Sequence, residues 1–179
     1  MTGAGFASGA LAMATTHVVV RVGPERFAFP VADVEVALDA PEVTPVPLPP
    51  VGLLGQLRYR GRSVRAFDAG WVLGVAGDGG ARGALVFRDG AERVVLVVDD
   101  VEDLADVSPA DVRPVPPGAD GEGVLHGVCL EADGRLVSLV RVDALVGRAI
   151  ADIAHLPRLE PTRPDTGAPM VLEGGGIET

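Results

Sequence analysis

The sequence predicts an all-β protein that ends in one helix. Short valine-rich segments recur about every 8–12 residues between glycine and proline turns, a pattern typical of a barrel or sandwich rather than of alternating strands and helices. Only the segment 141–156 carries apolar residues at helical spacing. A glycine-rich loop at 76–83 divides the chain near its middle and suggests two small barrels of similar size.

Four pairs of strands are predicted to form hairpins, because in each pair two apolar segments flank a short turn that contains glycine. The turns lie at Gly23, at Gly61, at an Asp-Gly dipeptide (89–90) and at Gly134. The paired segments are 16–22 with 26–31, 51–60 with 62–68, 83–88 with 93–101, and the two halves of 124–140.

The segment 32–38 alternates at period two, which predicts a strand with Val34, Val36 and Leu38 on one face. That face is either part of a barrel core or a surface for a partner, and alternation alone does not separate the two interpretations. Five prolines within 41–50 predict an extended loop that covers a sheet edge, because proline cannot donate to a ladder.

Composition places the ordered domain at residues 16–156. Residues 1–15 are predicted to be a flexible leader, and the tail at 157–179 is predicted to be disordered because it can bury little apolar surface. No apolar run approaches the ~18–20 residues that span a membrane, and the leader lacks the basic region of a signal peptide. We therefore expect a cytoplasmic protein without direct membrane insertion.

The charge balance and the scarcity of reactive side chains argue against nucleic-acid binding and catalysis. The net charge is −10, whereas sequence-independent nucleic-acid binding needs a basic surface. Three histidines are scattered, and the single cysteine, Cys129, is predicted to be a buried thiol. The acids within 99–111 fit no calcium loop and are predicted to line a solvated strand edge. We expect no catalytic residue, no metal and no cofactor.

Four arginines, Arg58, Arg60, Arg62 and Arg65, surround Gly61 in this acidic chain. They could bind nucleic acid, pair with the protein's own acids, or dock onto a protein partner. Strand alternation predicts that Arg58 and Arg60 share one face of their strand. Arginine is rarely buried without a partner, so part of the strip faces solvent or another protein. For Arg62 and Arg65, a solvated role that balances local acids is the alternative.

The succession of these segments resembles the CheW-like family of chemotaxis coupling proteins. The resemblance rests on five pieces in order, and it covers about residues 16–150. The pieces are the entry to the first core at 28–31, the VTPVP segment at 43–47, the GQLRYRGRSV hairpin at 55–64, the VVDDV strand at 97–101, and the DGRLVSLV hairpin with its closing helix. The ordered set is more specific than any single piece.

This resemblance implies two five-stranded, SH3-like β-barrels packed side by side and a non-catalytic adaptor role in a bacterial chemosensory array. One surface would bind the regulatory domain of a CheA-type histidine kinase. The groove between the barrels would bind the cytoplasmic tip of a methyl-accepting chemoreceptor, and other CheW-like proteins are further candidate partners. The family's arginine–glycine pair falls on Arg60 and Gly61. The other candidate contact residues are Arg58, Arg62, Val34, Val36 and Leu38.

In better-known members of the family, an acid one strand earlier can pair with this arginine. The corresponding position here is Val36, and period-two alternation puts the neighbouring Glu35 on the opposite face. Two alternatives to standard coupling stay open. One is a diverged CheW-like scaffold that serves a non-standard array, and the other is a small-ligand-binding or catalytic β-barrel with converging acids such as Asp99 and Asp100.

Overall fold

The computed structural model describes residues 13–119 and 122–151, and most of them lie in β-strands. The strands are β1 (Thr15–Val22), β2 (Glu25–Pro30), β3 (Val34–Asp39), β4 (Val43–Thr44), β5 (Leu53–Tyr59), β6 (Arg62–Asp68), β7 (Gly83–Asp89), β8 (Glu92–Val98), β9 (Asp100–Val107), β10 (Leu125–Leu130) and β11 (Leu136–Val140). The helices are α1 (Ala69–Leu73) and α2 (Val142–Ala151), and 3₁₀ turns cover Val31–Asp33 and Pro109–Asp111. The predicted all-β class with a C-terminal helix is confirmed.

The ends of the predicted domain are only partly covered by the structure. β1 begins at Thr15, so the last residue of the predicted leader belongs to a strand. The rest of the leader up to residue 12, the predicted tail at 157–179, and residues 152–156 of the predicted helix lie outside the described residues. Within the described ranges, no helix has the length and apolar content needed to cross a membrane.

The strands form two sheets. The five-stranded sheet has the order β10-β11-β2-β1-β9, and the six-stranded sheet has the order β3-β7-β8-β6-β5-β4. Neighbouring strands are antiparallel except for β11 with β2 and β6 with β8, which are parallel. The six-stranded sheet exceeds the predicted five because the proline-rich loop contributes the two-residue strand β4 at one edge. Proline is tolerated at such an edge because one side of the strand needs no ladder donor.

The predicted hairpins are present, with one turn shifted by a residue. Asp89 pairs with Glu92, so the loop between β7 and β8 consists of Gly90 and Ala91 rather than Asp89 and Gly90. Gly90 takes the positive φ of 57° that the tight turn requires. Glycine therefore marks the turn correctly, but its place within the turn depends on the register of the flanking strands.

The glycine loop at 76–83 does not separate the two sheets. All strands from β3 to β8 belong to the six-stranded sheet, and the loop lies between α1 and β7, inside that run. The five-stranded sheet combines β1 and β2 with β9, β10 and β11 from the other end of the chain. The chain changes sheets at the 3₁₀ turn before β3 and at Asp99, neither of which is glycine-rich.

Three apolar cores explain the runs of consecutive valines. The central core takes residues from both sheets and both helices, including Val20, Phe29, Leu96 and Leu145. Each sheet also buries its other face in an outer core of its own. The outer core of the six-stranded sheet contains Leu57, Val64, Ala66, Ala84, Val86, Val95 and Val97, and that of the five-stranded sheet contains Val19, Ala28, Val107, Cys129, Val137 and Leu139. Strands buried on both faces need no polar alternation.

Asp99 joins the two sheets where the chain passes from β8 to β9. Its side chain is buried, and one carboxylate oxygen accepts hydrogen bonds from the backbone N–H of Gly23 at 2.5 Å and of Asp78 at 2.8 Å. Its own N–H donates to the carbonyl of Arg21 at 3.1 Å. Asp99 thereby holds the glycine loop against the β1–β2 turn of the other sheet.

We expect Asp99→Ala to lower the free energy of unfolding by about 2–4 kcal/mol, because two backbone donors lose their acceptor in a buried place. Asp99→Asn keeps an oxygen acceptor and should cost about 1 kcal/mol. Denaturant unfolding of both variants measures this, with Asp39→Asn at an exposed position as the control. Equal losses for the alanine and asparagine variants would contradict the acceptor role.

Candidate protein-interaction surface

Arg60 and Gly61 form the two-residue turn between β5 and β6. Tyr59 pairs with Arg62 across the turn, and both turn residues have positive φ, 48° at Arg60 and 75° at Gly61. Positive φ at both central positions defines a type I′ turn, whose twist matches that of the flanking strands. The sequence prediction of a tight strand connection at Gly61 is confirmed.

Gly61 is required by its backbone conformation and not by crowding. A Cβ atom placed on Gly61 would have no atom within 4 Å beyond its chain neighbours. Its positive φ is nevertheless one that residues with a Cβ adopt only at a cost. The preceding Arg60 carries that cost, because it is itself in the left-handed region.

The arginine strip is divided between the two faces of the hairpin. Cross-strand pairing places Arg62 beside Tyr59, whereas Arg58 lies beside Ser63 on the other face. Arg65 pairs with Gln56 and shares the face of Arg58 by alternation. Within the described part of the chain, neither Arg58 nor Arg62 makes an ion pair. The four arginines therefore do not form one continuous surface.

Arg60 does not share a face with Arg58, contrary to the alternation prediction. Its guanidinium lies 5.1 Å from the centre of the Tyr59 ring, which packs against the outer core of the six-stranded sheet. The reason is that Arg60 is the first residue of the turn and no longer follows the alternation of β5. The turn folds its side chain back over Tyr59, where the cation meets the face of the aromatic ring.

Glu35 is the centre of the charged cluster at this turn. Arg60 Nη1 donates to Glu35 Oε1 at 2.9 Å, and Arg93 donates to both carboxylate oxygens, from Nε at 2.9 Å and from Nη2 at 3.2 Å. Arg88 Nε lies 3.6 Å from Oε2, and the Tyr59 hydroxyl donates to Oε1 at 3.4 Å. We call Glu35, Tyr59, Arg60, Arg88 and Arg93 the Glu35 cluster.

A β-bulge in β3 brings Glu35 to this cluster, which corrects the prediction that it lies on the opposite face. Val34 pairs with Phe87 and Val36 pairs with the next residue of β7, Val86, so Glu35 is an extra residue without a partner. A bulge of this kind interrupts the period-two alternation. Glu35 takes over the position next to Arg60 that simple alternation gave to Val36.

The same bulge separates the three apolar residues that were predicted to share a face. Val34 packs against the central core, whereas Val36 and Leu38 pack against the outer core of the six-stranded sheet. All three are partly buried. Alternation holds between Val36 and Leu38, which follow the bulge, and fails between Val34 and Val36, which flank it.

Electrostatics fix the charge of Glu35 and leave a positive excess around it. The hydrogen bonds from Arg93 hold the pKa of Glu35 below its usual range, with further lowering by the charges of Arg88 and Arg60. The Glu35 side chain is 12% exposed, whereas those of Arg60 and Arg88 are 64% and 59% exposed. One partly buried carboxylate thus anchors arginines whose side chains remain largely exposed.

Four of the five members of the cluster, Glu35, Tyr59, Arg88 and Arg93, are not among the predicted site residues, and Arg93 and Glu35 show why. Arg93 is the second residue of the apolar strand β8. The sequence alone does not indicate its role, because its contact with Glu35 depends on the position of β8 two strands away from β3. Glu35 is adjacent in sequence to Val36, the position at which the family has an acid. The bulge that brings Glu35 to Arg60 cannot be recognised from the alternation of apolar and polar residues in β3.

The other residues that were considered for chemical roles do not gather into one site within the described part of the chain. Among residues 13–119 and 122–151, no group of three or more histidine, cysteine or acidic side chains is arranged to hold a metal ion. Cys129 is buried as predicted, and burial raises the pKa of its thiol. The predicted acidic strand edge holds for the acids between 100 and 106, which lie on β9, an edge strand of the five-stranded sheet, but it is wrong for Asp99, which is buried, and for Asp111, which lies in a 3₁₀ turn.

Comparison with known proteins gives a consistent result. Residues 16–149 match the family model of the CheW-like domain. The chain is 30% identical over 131 residues to the chemotaxis protein CheW of Rhizobium meliloti (strain 1021), an alignment that covers 72% of this chain and 84% of the relative. The crystal structure of the scaffolding protein TtCheW from Thermoanaerobacter tengcongensis has the same fold, with a TM-score of 0.66, 18% identity, and coverage of 74% and 88% of the two chains.

Gly61→Ala should lower the free energy of unfolding by about 1 kcal/mol, because alanine must adopt the left-handed conformation of the turn. Gly147→Ala is the matched control, since a Cβ there also meets nothing within 4 Å but the residue lies in α2. The control should be neutral or stabilising by up to about 1 kcal/mol. Denaturant unfolding measures both, and a neutral Gly61→Ala would show that the turn does not require glycine.

The lowered pKa of Glu35 predicts a defined pH dependence. Its carboxylate contributes stability above its ordinary pKa of 4.5, and that contribution is lost as the pH falls through the lower folded-state value. Glu35→Gln should therefore be less stable than wild type at neutral pH and should lose less stability between about pH 5 and pH 3. Unfolding at several pH values tests this, and Glu42→Gln, at an exposed acid, should follow wild type throughout.

Proposed function

Because the chain belongs to the CheW-like domain family, we propose that it is a non-catalytic adaptor of a bacterial chemosensory array. In this role it couples the cytoplasmic tips of chemoreceptors to the regulatory domain of a CheA-type histidine kinase. The observation that carries the proposal is the Glu35 cluster at the Arg60–Gly61 turn, which fixes an exposed arginine on a rigid hairpin. An adaptor needs such surfaces and no catalytic residue.

We assign the arginine turn to the kinase. Arg60 keeps 64% of its side chain exposed while one nitrogen is held by Glu35, so it can still donate hydrogen bonds to a partner's acid. Arg62 lies on the same face of the hairpin and adds positive charge. Arg58 extends from the opposite face, so it contributes only if the partner reaches around the hairpin tip.

We assign the start of β3 to the receptor. Val34 lies on the side of the central core, next to Val31, which is 40% exposed at the change from one sheet to the other. An apolar surface at that junction suits a helical receptor tip, which binds through apolar side chains at helical spacing. Val36 and Leu38 pack on the other face and support the position of Glu35 rather than this contact.

The kinase assignment is tested by calorimetric titration with the regulatory domain of a CheA-type kinase from the same organism. Wild type should bind, and Arg60→Asn should weaken binding about tenfold, as expected for an interface arginine. Asparagine is chosen because it tolerates the left-handed conformation of Arg60, so the turn is kept. Arg135→Asn, at an exposed arginine in another hairpin, should bind as wild type does.

Other outcomes of the titration would change the assignment in different ways. Unchanged binding by Arg60→Asn would remove this turn from the kinase contact and leave it to the receptor. A wild-type protein that binds neither the kinase domain nor a receptor-tip fragment would contradict the adaptor proposal. Near-ultraviolet circular dichroism of each variant establishes that its tertiary structure is intact.

A further inference from the structure

The outer face of the five-stranded sheet contains a cleft that the proposed adaptor function does not use. It has a volume of ≈450 Å³ and lies between β9 and β10, the two edge strands of that sheet. The buried outer core of the sheet lies beneath it, at Val19, Ala28 and Val137, and its exposed apolar lining comes from Leu104 and Leu130. The cleft is therefore a depression over a closed apolar core, with leucines exposed at its sides.

The charges that line this cleft are predominantly negative. Its rim carries Asp103, Asp106 and Asp111 on one side and Glu131 and Asp133 at the β10–β11 turn. Among the described residues, Arg26 is the one basic residue of the lining, and it is already paired. Its Nε donates to Glu102 at 2.6 Å, its Nη1 contacts Glu131, and the same nitrogen lies 3.8 Å from Asp133. The acids on the β9 side thus face the cleft without a cation from the lining.

Both edge strands expose large apolar side chains beside the cleft. Leu104 on β9 is 61% exposed and Leu130 on β10 is 65% exposed, and both belong to the lining. Among the described residues, β9 pairs with β1 alone, whereas β10 pairs with β11 and its other edge is bridged at Val128 by two backbone hydrogen bonds with Arg113. The open edge of β9, with its exposed leucine, is a surface on which another chain can pair.

We propose that this cleft binds an extended segment of a partner protein in which basic and apolar side chains alternate. A strand presents alternate side chains to opposite sides, so one set can pack on the exposed Leu104 and Leu130 while the other meets the acids of the rim. The main chain of the segment would lie along β9. The charge of the rim favours arginine or lysine, because acidic segments would be repelled and neutral ones would leave the acids uncompensated.

This surface is independent of the arginine turn. The Glu35 cluster belongs to the six-stranded sheet, whereas the cleft belongs to the five-stranded sheet on the other side of the central core. The two surfaces have opposite charge and select partners of opposite charge. Loss of kinase binding therefore leaves the proposal for the cleft intact, and the reverse also holds.

The test measures binding of short capped peptides to the full chain by fluorescence anisotropy, with amide chemical shifts to map the site. The probe alternates arginine and valine. A peptide that alternates arginine and serine tests the contact with the exposed leucines, and one that alternates glutamate and valine tests the charge of the rim. We expect the arginine–valine peptide to bind, with shifts at Leu104 and Leu130, and the other two to bind at least about tenfold more weakly.

Variants of the cleft separate specific binding from general attraction to an acidic protein. Asp103→Asn with Asp111→Asn should weaken the arginine–valine peptide about tenfold, whereas Glu42→Gln with Glu92→Gln removes the same charge elsewhere and should have little effect. Ala105→Leu adds bulk in the cleft without changing the charge and should also weaken binding.

Four results would each overturn the proposal. They are no binding of the arginine–valine peptide, equal binding of the arginine–serine peptide, equal losses in the two double variants, and unchanged binding by Ala105→Leu. A thermal unfolding curve for each variant establishes that a loss of binding does not come from a loss of fold.

Discussion

The central core between the two sheets is the constraint on which the rest of the structure depends. It takes strands from both sheets and the apolar faces of α1 and α2, so neither sheet is complete without the other. Because each sheet also buries its outer face, the middles of most strands have no side that is free for polar chemistry. Several of the polar groups discussed above therefore lie in turns, on edge strands and at the places where the chain changes sheets. The arginine turn, the acidic strand β9 and the Asp99 junction occupy these three kinds of place.

The chain passes from one sheet to the other at two places, and different structural features stabilise the two crossings. Before β3 the chain uses a 3₁₀ turn followed by a bulge, and after β8 it uses one buried carboxylate. The 3₁₀ turn gives the N–H of Val34 an acceptor at the carbonyl of Val31, and Asp99 accepts from the N–H groups of Gly23 and Asp78. The bulge also has a functional consequence, because it moves Glu35 to the face on which Arg60 and Arg93 lie. A structural requirement of the fold thus creates the charged cluster that we assign to partner binding.

The sequence allowed most of the strands to be predicted, because glycine turns and valine-rich segments are local signals. The hairpins at Gly23, Gly61 and Gly134 follow from such signals, and so does the terminal helix. The assignment of strands to sheets did not follow from them. The parallel pairs β11 with β2 and β6 with β8 join segments that are distant or separated by other elements in the chain, and only tertiary packing selects them. For this reason local signals predict a boundary between two barrels at the glycine loop, whereas the chain changes sheets elsewhere.

For the candidate site, the turn was predictable and its surroundings were not. The Arg-Gly dipeptide between two alternating segments identifies a tight hairpin, and the family resemblance draws attention to the same two residues. The bulge at Glu35 was hidden, because one extra residue in a short strand does not disturb a period-two pattern enough to be seen. Arg93 was hidden because its role depends on how three strands lie side by side. Sequence therefore identified the exposed part of the site, and the structure supplied the residues that hold it.

In the adaptor role that we propose, the Glu35 cluster allows an acidic protein to offer one arginine to an acidic partner. With a net charge of −10 the chain repels such a partner, but salt limits this repulsion to a Debye length of about 8 Å. Attraction at the turn therefore acts only at close approach, where shape decides the outcome. The type I′ turn, the Tyr59 ring and the carboxylate of Glu35 hold Arg60 in one place, so little side-chain freedom is lost on binding. The same contacts leave most of the Arg60 side chain exposed, and this combination of restraint and exposure suits the role in partner recognition that we propose for it.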